Sequence, residues 1–369
     1  MSRPFLLIAL FGLLPFQSGC ESKPAAKTNT PAAAPKPVLP TEDAEVVKAI
    51  DAAAKKVGRD SDGLITLVDY RGQTIDDTSL ESLVGLPRLQ KLYLSDTAIS
   101  DAGLMSVGKI TTLENLELGG CAISNDGLAH LAGLSKLKLL KLSGKNGKCS
   151  VDDDGLEHLA GLSNLKVLAL DHLWVSEEGL AKLTGLKNLS ELYLAKTTIA
   201  DEAIKVMEGF PKLKKLRLAD NPIGAEAIAG LVNLKNLEEI DLSDCVQISD
   251  STTAPLGQLP KLKKLNLWRV PLSDVGIEPL KNLKSLEYLN LDQTRLSDEG
   301  LKHLSGMTKA TFIHLGSTEI TDAGLQHLVN LKALKDLKVT RTGVTQAGVD
   351  ELKKSLPGTR IQLKYIEGQ

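Results

Sequence analysis

Apolar positions return on one frame along most of the chain. From Ile65 onward, an aliphatic residue stands at the first, fourth, sixth and eleventh places and a small or polar one at the ninth. A polar residue, Asp, a spacer and Gly follow, and then aliphatic residues three apart. Frames open at Ile65, Leu89, Leu113, Leu137, Leu165, Leu189, Leu213, Leu237, Leu262, Leu286, Ala310 and Leu334. Their spacing is 24 residues, except for one of 28 that holds Gly144 to Lys148 and one of 25 around Val246. Alternation at the fourth and sixth places, as in Leu92 and Leu94, predicts a short strand, because successive strand side chains point to opposite faces. The three-residue spacing of Leu104, Val107 and Ile110 predicts a helix with one apolar face.

A strand, a turn and a helix of this size cannot bury two apolar faces alone. Stacked frames can, with parallel strands on one side of a continuous core and helices on the other. Helices are wider than the roughly 4.8 Å between strands, so the stack is predicted to bend with its strands on the concave side. Ser or Thr before Asp, as in Ser100-Asp101 and Thr321-Asp322, offers oxygen to the bare amides of a helix start, and Gly two residues later relieves crowding there. The recurring Asp77, Asp101, Asp201, Asp250, Asp274, Asp298 and Asp322 are likewise expected to cap, as are Asp152 and Asp153.

This frame resembles that of leucine-rich repeat proteins, and Ile320-Thr321-Asp322-Ala323-Gly324-Leu325 resembles the strand-to-helix turn of bacterial and F-box-associated members. The resemblance spans Ile65 to Leu363, 299 of 369 residues. It implies an α/β leucine-rich repeat solenoid of twelve repeats, a curved horseshoe with parallel strands concave and helices convex. It also implies that ninth-place residues bond to backbone of the neighbouring coil. Cys121, Cys149 and Cys245 would then be core spacers, with a Cys121–Cys149 disulfide as the alternative.

Before the frame, Arg3 and the apolar run Phe5 to Phe16, ending in Ser18-Gly19, read as a secretory signal peptide at 1–19, too short to span a bilayer as a stable helix. Gln17-Ser18-Gly19-Cys20 resembles a bacterial lipoprotein signal, which implies lipidation of Cys20; Gln17 stands where that pattern prefers Leu. Ordinary cleavage or an uncleaved anchor are the alternatives. Residues 20–40 read as lipidated Cys and a Pro- and Ala-rich tether. Residues 41–64 read as a capping helix and linker, with helix from Thr41 through Val57 and Gly58 as its stop. The repeats occupy 65–357, and 358–369 supply a cap strand and tail.

Composition narrows the function. Leucine accounts for 68 residues and aromatics for only 3%, consistent with a small repeated packing unit. With 44 basic and 46 acidic residues there is no uniform basic field, so nucleic acid is not expected as a partner. Four Cys exclude a disulfide-dense scaffold, and 42% apolar content excludes a disordered or multi-spanning chain. No Walker loop, Gly-x-Ser-x-Gly elbow, His-Glu-x-x-His helix or Cys-x-x-Cys pair occurs, so no catalytic residue, cofactor or metal is assigned. His130, His158, His303 and His327 share one helix position, about 10 Å apart on neighbouring helices and too far for one zinc.

The strand face is the candidate binding surface. Its outward fifth places run Asp69, Tyr93, Glu117, Lys141, Ala169, Tyr193, Arg217, Asp241, Asn266, Asn290, His314 and Lys338. Lys264, Trp268, Arg269, Tyr288 and Phe312 stand beside the late members. Aromatics ringed by Arg and Asn match interface anchors, although aromatics also stack across strands merely to support a sheet. We select Trp268, Tyr288, Phe312, Tyr193, Arg217, Arg269, Asn290 and His314 as partner-binding residues. The expected protein is non-enzymatic, exported, lipid-anchored at the cell envelope on its periplasmic or surface face, and binds a protein or peptide through its concave face. A passive structural envelope module is the alternative. An adaptor like the F-box leucine-rich repeat proteins of ubiquitin ligases is disfavoured by the signal peptide and by the lack of room for an F-box. Solenoids also dimerise through edges or faces, which leaves the oligomeric state open.

Overall fold

The computed structural model describes residues 41–364; the expected signal peptide, Cys20, the tether and the last residues of the tail lie outside the described residues. Fourteen strands form one open sheet in strict chain order, from Lys56–Arg59 to Arg360–Gln362. Every neighbouring pair is parallel except the first, where Lys56–Arg59 runs antiparallel to Ile65–Asp69. Most strands are three residues long, with the central side chain inward: Leu92, Leu192, Leu289 and Ile313 are completely buried. Buried aliphatic residues run without interruption from Ile50 to Leu356. The frame's alternation thus sets both the register of the sheet and which residues face outward.

The helical side is more compact than the apolar spacing predicts. Asp101–Val107 is seven residues of α-helix, Asp298–Leu301 is four continued by a 3-10 turn Lys302–Leu304, and Gly155–Leu159 is wholly 3-10. A 3-10 turn rises about 2.0 Å per residue against 1.5 Å for α, so it crosses the frame with fewer residues.

The aspartate column does something other than the capping expected of it. Ser100 Oγ does accept from the Ala102 amide of its own helix, at 3.3 Å. Asp77, however, reaches forward: Oδ1 accepts from the Ser100 amide at 2.8 Å and Oδ2 from the Ser100 hydroxyl at 2.5 Å. The same two-bond clasp joins Asp101 to Ser124, Asp153 to Ser176, Asp250 to Ser273, Asp274 to Ser297, Asp298 to Thr321 and Asp322 to Thr345. Between Asn125 and Asp152 an amide–carboxylate pair replaces it. The helix-start Gly makes room for the clasp, since a Cβ on Gly324 would lie 2.2 Å from Asp298 Oδ1. Asp152 does act locally, its Oδ1 accepting from the Asp154 amide at 3.0 Å.

The first coil is covered by more than a helix. The helix runs only over Ala44–Ala53, capped by Asp43, whose carboxylate accepts from the Glu45 and Val46 amides, and it buries Ile50. The chain then turns and Lys56–Arg59 becomes a strand, with Val57 opposite Val68 and Gly58 opposite Leu67. Val57 is therefore not helical. Gly58 is not a helix stop: a Cβ there would meet Leu67 Cβ at 3.1 Å, so it permits close strand approach. An antiparallel strand satisfies backbone groups that the first parallel strand would otherwise expose at the sheet edge, which is why the β-branched Val57 is drawn into it.

Acid is expected to destabilise this stack in two stages. Burial holds the imidazoles of His172, His303 and His314 below their ordinary value. From pH of about 6.5 down to those lower values the unfolded chain binds protons that the folded chain does not, so stability declines. Carboxylates follow. Asp69 is held low by Arg71, Asp322 by the Thr345 hydroxyl, and Glu238, gripped by Lys263 and Lys214, is lowered to about 2. Their contribution is complete above pH of about 4.5 and is lost as pH falls through the folded values. The melting temperature should be level from pH of about 8 to 7, decline below about 6.5 and fall most steeply between about 4 and 2. A value unchanged across that last interval would contradict the assignment.

Candidate functional site on the strand face

Strict register brings outward residues of successive strands side by side. Tyr288 pairs with Phe312 and Asn290 with His314, so the first pair stacks with ring centroids 4.6 Å apart and planes within 3°. The Phe312 ring meets His314 edge-on at 6.4 Å, and Lys338 Nζ lies 5.9 Å above it. Trp268 stands two residues beyond Asn266, with the Arg269 guanidinium 5.2 Å over its ring. These aromatics are half-buried rather than fully exposed.

Two hollows lie on this face, and Tyr288 of the stacked pair lines the first. One, about 220 Å³, lies between Tyr193 and Tyr288 over Lys215, Arg217, Glu239 and Lys264. The other, about 320 Å³, is polar and lined by Trp268, Asn290, Asp292, His314, Lys338 and Arg341 among others. Beneath these side chains Gly316 is buried and closely covered: a Cβ there would lie 2.6 Å from Asp292 Oδ1, 2.8 Å from Thr340 Oγ1 and 3.0 Å from His314 Nε2. Gly316 thus lets a carboxylate, a hydroxyl and an imidazole sit close together on the lining of the hollow, a set able to accept and donate hydrogen bonds to a main-chain amide. Burial lowers the His314 pKa, so the ring enters as a neutral donor–acceptor at neutral pH.

Of the eight residues selected from the sequence, Tyr193, Arg217 and Tyr288 line the first hollow and Trp268, Asn290 and His314 the second, while Phe312 lines neither and stacks on Tyr288. Arg269 lines neither; it sits in the turn at φ 57° and braces Trp268, ion-paired to Asp244 at 3.0 Å. Tyr193 and Arg217 are engaged internally as well. The Tyr193 hydroxyl donates to Glu191 at 2.7 Å, and burial together with that carboxylate pushes its pKa up. Arg217 is held between Asp171 at 3.0 Å and Asp241 at 3.3 Å.

Glu191, Lys215 and Glu239 escaped the sequence reading, which placed Lys264 on this face without selecting it. Glu191, Lys215, Glu239 and Lys264 occupy one register row and alternate in sign, Lys215 lying 3.1 Å from Glu191 and Lys264 3.0 Å from Glu239. Surface pairs of this kind add little stability each, but they order the floor of the first hollow. The alternation was visible in the chain once the third place of each frame was aligned. Trp174, 75% exposed, also went unselected because it lies in a turn, not on a strand.

Chemistry elsewhere is subdued. Cys121, Cys149 and Cys245 are free and buried, so the alternative disulfide is not formed. Cys121 and Cys245 donate to the Leu94 and Leu218 carbonyls of the preceding coil, and burial pushes the Cys245 thiol up to about 12. Among the described residues, no three His, Cys, Asp or Glu are grouped to hold a metal ion.

By sequence, the Leucine Rich repeat family matches at residues 86–108, 109–132, 211–232 and 282–305. No curated protein matches the chain by sequence. By structure, the chain is similar to an internalin of Listeria monocytogenes, 20% identical, covering 88% of this chain and 96% of that one with a TM-score of 0.62. A leucine-rich repeat protein of Leptospira interrogans aligns at 19% identity over 77% of this chain and 80% of its own, with a TM-score of 0.49.

Proposed function

We propose that this chain, a leucine-rich repeat protein, is a non-enzymatic receptor or adaptor that binds a protein or peptide across its strand face. The observation that carries the proposal is the Tyr288–Phe312 stack on a strand face that also holds two hollows of different character. One hollow has an ordered ionic floor and the other a polar lining that includes Asp292, His314 and Thr340. An extended peptide laid across the strands would place a side chain in each and rest on the aromatic stack, and aromatic anchors beside polar hollows are where binding energy concentrates. We further propose that acyl chains on Cys20 hold the protein at the cell envelope, since the apolar run and the tether resemble those of exported lipoproteins.

The test is affinity capture from envelope extract, wild type beside Trp268→Ala/Tyr288→Ala/Phe312→Ala. Because the three rings are only half-buried, the variant should fold. Its melting temperature is checked first. A partner retained by wild type and lost by the variant is the expected result. Identical background on both baits would sink the strand-face reading and favour a passive envelope module. Loss of membrane-fraction recovery in Cys20→Ser is the expected companion result, and unchanged recovery would refute the anchor.

A further inference from the structure

The turn edge around Trp174 is a second binding site, separate from the strand face, and we propose that it takes an acidic saccharide: a sugar ring bearing a carboxylate or phosphate. Trp174 occupies the tenth place of its frame, where Ala98, Ala122 and Thr198 stand in others, and its ring is 75% exposed. An indole so placed has no packing duty. Beside it lies the one frame of 28 residues, whose extra segment Gly144 to Lys148 forms the facing wall. Lys145, His172, Trp174, Lys196 and Thr198 surround a hollow of about 420 Å³ between them.

This wall is built. The Gly144 amide donates to the Asp171 carbonyl at 3.1 Å, the Gly147 amide to the Gly144 carbonyl at 2.8 Å, and Asn146 Nδ2 to the Gly120 carbonyl at 2.8 Å. Gly144 is packed so closely that a Cβ would fall 2.1 Å from the His172 carbonyl oxygen. The charge is of one sign where it is unshared: among the described residues Lys145 and Lys148 form no ion pair, while Lys196 is paired with Asp220 at 3.2 Å. A flat indole suits the C–H face of a pyranose, the Lys145 ammonium suits its acid group, and the Thr198 hydroxyl and His172 ring suit its hydroxyls. A bounded hollow of this size fits a ring or two, not the plane of a bilayer.

The test uses the full chain, whose only two Trp are Trp174 and Trp268. In Trp268→Phe, emission comes from Trp174 alone. Tetragalacturonate is the probe, with uncharged maltotetraose and phosphatidylglycerol vesicles as the other arms. We expect a saturable emission change with tetragalacturonate, at least about tenfold weaker with maltotetraose and in Lys145→Ala/Lys196→Ala. Trp174→Ala should keep the wild-type melting temperature and lose the calorimetric heat of binding. No saturable change with tetragalacturonate, an equal change in the double-lysine variant, or a response to vesicles without one to the saccharide would each overturn the proposal, the last assigning the edge to a lipid surface.

Discussion

Gly324→Ala is expected to destabilise the protein by about 2 to 4 kcal/mol, against the usual gain of up to about 1 kcal/mol for replacing Gly with Ala in a helix. The added methyl would lie 2.2 Å from Asp298 Oδ1 and 2.8 Å from Leu301 Cδ1. Asp298 can yield only by releasing the Thr321 amide at 2.7 Å and its hydroxyl at 2.6 Å. Hydrogen bonds to a charged group contribute about 1.5 to 3 kcal/mol each, and we discount the two-bond sum by about a third because the clasp is solvent-exposed. Asp298→Ala alone should lose a comparable amount. In that background the methyl meets no carboxylate and only the Leu301 Cδ1 contact remains, so the cost of Gly324→Ala should fall to about 1 kcal/mol or less. A urea-denaturation double-mutant cycle reads this directly. Additive effects would show that the Gly serves the helix and not the clasp.

That cycle also separates what the chain disclosed from what it withheld. Strands, their register and the buried Leu ladder were legible, since period-two alternation repeated at a fixed offset leaves little freedom for a stacked frame. The role of Ser-Asp-x-Gly was only half legible. The string is the same whether the carboxylate caps its own helix or reaches the next coil, and the partner amide stands 23 residues away. Lys56–Arg59 was misread because Val57 continues the apolar stripe of the preceding helix, while its pairing with Val68 is set by an exposed sheet edge. The turn after each strand was equally opaque. Asp96, His172, Lys196, Asp220 and Arg269 all adopt positive φ there, with no shared chemistry to announce it.

The candidate site divides along the same line. That Tyr288 and Phe312 would be neighbours followed from the frame. Which side chains are already engaged did not, because Tyr193 spends its hydroxyl on Glu191 of its own strand and Arg217 is shared across three strands. Trp174 was detectable by a simpler signal than strand position: a large aromatic at a place where no other frame holds one.

The clasp is not continuous, and its gaps locate the second large effect. Ala200 offers no side-chain donor to Glu177, and Ala225 no acceptor to Ser249; between them Asp201 holds only backbone amides, of Gly224 at 2.6 Å and Glu226 at 3.1 Å. The middle of the solenoid therefore depends more on apolar contact than either end. Phe210, 2% exposed, stands in that middle, where corresponding places hold Leu, Ile or Met. Phe210→Ala should remove about 3 to 5 kcal/mol through lost burial and the cavity left behind. In a solenoid whose stability is a sum of units and nearest-neighbour interfaces, a loss at the least-clasped junction should also weaken the coupling between the two halves. Trp174 and Trp268 lie on opposite sides of residue 210. Read singly in Trp268→Phe and Trp174→Phe backgrounds, their urea transitions should coincide without the Phe210 substitution and separate with it. Coincident transitions after Phe210→Ala, or a loss below about 1 kcal/mol, would show that backbone pairing alone couples the two halves.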